Sequence, residues 1–116
     1  MFVASVVLSL LLAVAFLGSG GAKLAGLQQM RDNAAHLDFP YPAWRGIGAL
    51  EVAGAAGLLV GFAWAPLGIA ASIGLAVLMI GAAAIHIRHK DPIAQAMPSM
   101  VLALIAILAL VAQLNA

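Results

Sequence analysis

Glu51 is the only carboxylate in the three longest apolar runs of the chain. It stands in the stretch Gly46 to Trp64, GIGALEVAGAAGLLVGFAW, which is long enough to cross a bilayer. An ionised group in hydrocarbon costs roughly 2.5–3.5 kcal/mol on insertion scales, so it must face other helices and find a partner. Candidate partners are few: Lys23 at the end of the first run, and His86 and Arg88 at the end of the third. A carboxylate, an imidazole and an ammonium group gathered in an apolar setting can exchange protons with a bound molecule. Glu51, His86 and Lys23 are therefore the candidate catalytic residues. Arg88, Gly48, Gly54 and Ser19 are the candidate substrate-binding positions beside them. The competing reading is a buried structural anchor, with Glu51 satisfied by Lys23 or by a backbone amide.

The elements that must position these groups are membrane helices. Only 8% of the 116 residues are charged and 66% are hydrophobic, whereas soluble domains carry about 25% charged residues. The fold expected is an all-α transmembrane four-helix up-down bundle forming a single membrane domain, residues 1–116. The spans are read at about 2–22, 47–65, 67–87 and 98–114, with connections at 23–46 and 88–97. Leu27 to Leu37 reads as a short interfacial helix, stopped by the Asp38-Phe39-Pro40-Tyr41-Pro42 segment. Pro66 is placed in the second-to-third turn. Pro98 suits the first turn of the last helix, and Asp91-Pro92 a cap and first position of a short turn before it. No basic residue precedes the first run, so it reads as a retained helix rather than a signal peptide. Cysteine is absent, which excludes disulfides, thiolate metal sites and cysteine redox chemistry. No metal motif is present, and the net charge of +1 argues against nucleic acid.

All five Lys and Arg residues lie in, or at the borders of, the first-to-second and third-to-fourth connections. The positive-inside rule places those connections in the cytoplasm and both termini outside. At 100° per residue, Ser5, Ser9 and Ser19 fall within about 40° of Lys23, and Ser72 falls as close to His86. Glu51 shares its face with Ile47, Gly48, Gly54, Ala55 and Leu58, mostly small residues that permit close helix approach. The Gly57/Gly61 and Gly74/Gly81 pairs read as packing. His86 and Arg88 are two residues apart and point to nearly opposite faces. His86 is expected inward, with Arg88, His89 and Lys90 at the headgroups. Tyr41, Trp44 and Trp64 read as interface anchors, and His36 as solvent-facing.

Several of these segments together resemble a known family. Gly20-Gly21-Ala22-Lys23-Leu24 is similar to its G-x-x-K-L element, and Ile47-Gly48-Ala49-Leu50-Glu51-Val52-Ala53-Gly54 to its I-G-x-L-E-x-x-G element. Gly81-Ala82 through His86-Ile87-Arg88 is similar to its third-helix G-A-x-x-x-H-x-R ending. The chain resembles, over nearly its whole length, the DoxX-like family of small four-helix bacterial membrane proteins. The family is named for subunits linked to thiosulfate:quinone oxidation, and some members are associated with oxidative-stress complexes. A distant animal relative is an assembly chaperone for ligand-gated channels. The resemblance implies residence in a bacterial cytoplasmic (inner) membrane. It also implies a redox-linked or lipophilic-substrate enzyme or subunit, with a quinone as a possible ligand and a homo-oligomer or a partner membrane protein as possible company. The cysteines of some redox-linked relatives are absent here. A non-catalytic assembly factor or scaffold is the alternative. A small multidrug exporter is more remote: its critical carboxylate lies in the first helix, and its dual insertion needs a weak charge bias.

Overall fold

The computed structural model describes residues 2–115. Five helices follow in order: α1 (Phe2–Ala25), α2 (Gln28–His36), α3 (Tyr41–Val60), α4 (Ala65–Arg88) and α5 (Ile93–Leu114). All except α2 are long and apolar enough to cross a membrane. The long axis of the molecule, 41 Å, exceeds the ~30 Å of a hydrocarbon core. Around the bundle, α1 packs on α3 and α5, and α4 packs on α3 and α5. Consecutive spans are therefore neighbours, the up-down arrangement, and α2 lies against α1 and α3 at one end.

The side chains are sorted as lipid requires. The buried face of α5 is Ala96, Ala103, Ala106, Ala109 and Ala112, while Leu104, Ile107, Leu108 and Val111 on the same helix are exposed. Lipid tails are as apolar as leucine, so large side chains gain nothing by turning inward, and small ones let backbones approach. The bundle centre carries most of the bulk: Leu12, Phe16, Leu58, Leu75 and Met79.

Glycines set the tightest crossings. An added Cβ on Gly20 would stand 2.6 Å from the Gly48 carbonyl oxygen, and one on Gly48 would stand 2.7 Å from Lys23 Cβ. At the other end, a Cβ on Gly61 would meet Gly68 Cα at 2.5 Å, and one on Gly57 would meet Ala71 Cβ at 3.0 Å. The Gly57/Gly61 pair is thus a packing motif between α3 and α4. The Gly74/Gly81 pair is not: nothing lies within 4 Å of either position. These two glycines face outward, where no neighbouring helix needs the space.

Prolines moved the helix boundaries. Pro40 is the N-cap of α3 and Pro42 lies in its first turn, so the helix starts six residues before the expected 47. Proline lacks an N–H, and the first turn needs none. Pro66 likewise falls in the first turn of α4, and the preceding turn is Gly61 to Trp64. The larger correction concerns Pro98, which lies inside α5 rather than in its first turn. The helix begins at Ile93 because Pro92 serves as its N-cap. Pro98 then deprives the Ala94 carbonyl of its helical donor, one turn from the exposed helix end.

Candidate functional site

The close Gly20–Gly48 crossing delivers Lys23 to Glu51. Lys23 follows Gly20 by one turn on α1, and Glu51 follows Gly48 by one turn on α3. Their side chains form an ion pair, Nζ to Oε1 2.7 Å, with Glu51 1% exposed. Lys23 also donates to Ser19 Oγ at 2.7 Å and sits 5.3 Å from the centre of the Trp44 ring. An ammonium group carries three donors; one goes to Ser19 and one faces Glu51, which leaves one N–H over. The carboxylate oxygen facing Lys23 has no aligned hydrogen bond, so the contact is an electrostatic pair rather than a directed bond. Trp44 Nε1 is buried without a partner among the described residues.

Lys23 does not snorkel outward because its helix end is tied down. The Tyr41 hydroxyl donates to the Lys23 carbonyl at 2.6 Å, and Arg45 donates to the Leu24 carbonyl at 3.1 Å. Arg31 donates to the Gly26 carbonyl at 3.1 Å and lies over the Tyr41 ring. A phenol and two guanidinium groups thus satisfy carbonyls at the C-terminal end of α1, where cations are also favoured. Gly26, at φ +74, provides the left-handed residue on which α1 ends. Tyr41 and Trp44, expected as interface anchors, are parts of this site instead. Trp64 is 61% exposed at the opposite end.

His86 faces inward but does not meet Glu51. It pairs with Asp91, Nδ1 to Oδ2 2.7 Å, and the second oxygen of Asp91 takes His36 Nε2 at 2.6 Å. The reason is local. The Asp91 amide donates to the His86 carbonyl and the Lys90 amide to the Ile87 carbonyl, both at 3.0 Å. This Schellman ending of α4 folds the chain back on the helix. It requires a left-handed residue at Lys90, φ 56, at a cost on the order of 1 kcal/mol for a non-glycine. The Asp91 carboxylate then lies against the His86 ring, 5% exposed. The His86 hydrogen bond, then the His36 one, holds the Asp91 carboxyl below its ordinary value, against the opposing effect of desolvation. α2 ends the same way around Asp38, φ 60, which directs Asp38 toward His89 at 3.4 Å.

Lys23, Glu51, His36 and His86 line one cavity of about 760 Å³ in which all five helices take part. Ser19, Lys23, Trp44, Glu51, His36 and His86 form its polar part. Ile47, Val77, Leu78, Ala82 and Leu102 are among its apolar walls. Both the volume and the mixture suit a small-molecule site. Val77 is 64% exposed, and Gly18 and Gly81 of the wall have open space beyond them, so the cavity borders the lipid. A smaller cavity, about 190 Å³, lies at the far end beside Ser5, Ser9 and Gln113. Gln113 donates to the buried Ser72 hydroxyl at 2.7 Å, so Ser72 serves that end and not His86.

The structure therefore brings Lys23, Glu51, Ser19 and His86 to one cavity. Arg88 is exposed and outside its walls. Gly48 and Gly54 are crossing points: Gly54 makes room for Leu75, whose Cδ2 would lie 2.6 Å from an added Cβ. Asp91, His36, Tyr41 and Trp44 are the residues that reasoning from sequence did not place here. Among the described residues no three His, Asp or Glu are arranged to hold a metal ion.

Comparison with curated proteins and with solved structures found no match. A sequence model of the DoxX-like family matches residues 7–108, a span that contains all four membrane helices in large part and every polar group of the cavity. This four-span integral membrane protein belongs to the DoxX-like family.

Proposed function

We propose that the chain binds a lipophilic molecule with an oxygen-bearing head, of the quinone or quinol class, and handles its protons. The observation that carries this reading is the cavity itself: mostly apolar, bordering lipid, and closed at one end by Lys23, Glu51 and His86. The free N–H of Lys23 suits a carbonyl or phenolate oxygen. Glu51 and His86 are the groups able to take up or release a proton. The chain has no cysteine, and electrons would reach the ligand from a partner oxidoreductase subunit. On α1 the buried Leu12, Ala13 and Phe16 lie between Ser9 of the smaller cavity and Gly18 of the larger one, an apolar stretch that weighs against a transport path across the bundle.

Binding is measured on the full chain in nanodiscs with a short-chain quinone analogue, through quenching of Trp44 fluorescence in a Trp64→Phe background. Saturable quenching is expected, weakened about tenfold, or ~1.4 kcal/mol, by Glu51→Gln and by His86→Gln. Genetic complementation by both variants is expected to fail although they fold. Absence of saturable quenching, with full complementation by both, would sink the proposal and leave the assembly-factor reading in front.

The polar end is assigned to the cytoplasmic side of a bacterial inner membrane, with both termini outside, because Lys23, Arg31, Arg45, Arg88 and Lys90 all lie at that end. Reporter fusions at Ala116 and between Gln28 and Asn33 test this. A cytoplasmic signal from the C-terminal fusion would overturn the orientation.

A further inference from the structure

The proposed proton chemistry uses His86 but assigns nothing to the carboxylate that grips it. Asp91 stands outside the cavity walls, while His86 and His36 are in them. Each Asp91 oxygen meets one ring nitrogen, Oδ2 at His86 Nδ1 and Oδ1 at His36 Nε2. An ionised carboxylate only accepts hydrogen bonds. The protons of these contacts must therefore sit on His86 Nδ1 and His36 Nε2. In neutral His86 that leaves Nε2 as a bare acceptor, with no protein partner among the described residues. Asp91 cannot easily turn away. Its own amide is bonded to the His86 carbonyl, and its neighbour Lys90 is fixed in the left-handed region.

We infer that Asp91 is a positioning residue that fixes His86 as the Nδ1–H tautomer and presents Nε2 to the cavity as the acceptor of a proton from a phenol- or quinol-type hydroxyl. The inference rests on the binding reading for the identity of the ligand, and on the geometry alone for the tautomer. In the step it serves, the ligand O–H bond breaks, the proton bonds to His86 Nε2, and the electron pair stays on the oxygen. The resulting phenolate lies in the cavity with the Lys23 ammonium, and the imidazolium is held against the Asp91 carboxylate. No oxidant is involved in this transfer. His36, bonded to the other oxygen, ties α2 over the polar end and stops the carboxylate from rotating.

The test is nitrogen NMR on the full chain, labelled at histidine, in nanodiscs without ligand. Wild-type protein is expected to show His86 mainly as the Nδ1–H tautomer. Asp91→Ala is expected to lose that preference while retaining its helical spectrum, and Asp91→Leu, which likewise has no acceptor, serves if Asp91→Ala does not fold. Conversely, His86→Gln is expected to raise the titration of the Asp91 carboxyl toward the ordinary value, because it removes the larger of the two stabilising hydrogen bonds. A wild-type His86 in the Nε2–H form, or a tautomer unchanged in folded Asp91→Ala, would overturn the assignment. Because neither readout uses a ligand, their failure is distinguishable from a failure of the quinone analogue to bind.

Discussion

Glu51→Ala is expected to destabilise the bundle by about 3–5 kcal/mol, the range seen when one partner of a buried ion pair is removed. The loss comes from what remains. Lys23 is buried, its helix end is held by Tyr41 and Arg45, and its ammonium group has only Ser19 left as a polar neighbour. It must shed its proton or pull the end of α1 toward water. The double variant Lys23→Met with Glu51→Leu removes both charges and keeps the volume, so most of the loss should be recovered. Gln28→Ala, on the exposed face of α2, is the control, since a surface change of this kind shifts stability by about 0.5 kcal/mol or less. Thermal melting in one detergent compares all three. A Glu51→Ala protein that melts with Gln28→Ala would mean that the pair contributes nothing to the fold. A double variant no better than Glu51→Ala would mean that the loss is not electrostatic.

That pair was legible in the sequence because apolar helices leave a carboxylate so few partners. Span number and neighbour order followed equally directly, from run lengths and short connections. The Asp91 contacts were not legible in the same way. Asp91 precedes a proline and reads as a cap, but the α5 N-cap is Pro92 itself, which leaves the aspartate side chain free to turn back to α4. The spacing His86-x4-Asp91 across a helix end was the available signal. It becomes informative only once Lys90 is known to be left-handed, and lysine, unlike glycine, does not announce that conformation. The His36 contact spans 55 residues and depends on where α2 lies, which no local pattern encodes. Tyr41 and Trp44 misled for a related reason. Aromatic residues beside Pro40 and Pro42 look like an interfacial loop, yet the prolines start α3 and so aim both rings back at the end of α1.

The Gly20–Gly48 crossing allows the same site to be probed without touching a charge. Gly20→Ala would place Cβ 2.6 Å from the Gly48 carbonyl oxygen and 2.8 Å from Val52 Cγ2. The valine methyl can turn aside, but the carbonyl belongs to the backbone of α3 and cannot retreat alone. The two helices must separate or shift, at a cost of about 1–3 kcal/mol for overpacking of this kind. Lys23 lies one turn beyond the contact, so the separation also lengthens the 2.7 Å ion pair. Gly21→Ala gives the opposite sign one residue away. Nothing lies within 4 Å of its added Cβ, and alanine favours a helix interior over glycine by roughly 0.5–1 kcal/mol. Melting temperature should therefore fall for Gly20→Ala and hold or rise for Gly21→Ala. Adding Gly20→Ala to a Lys23→Met/Glu51→Leu protein should then cost less than adding it to wild type, because only packing is left to lose. Equal costs in the two backgrounds would mean that the crossing and the ion pair are independent. Gly20 would then set the helix spacing without holding the charged site together.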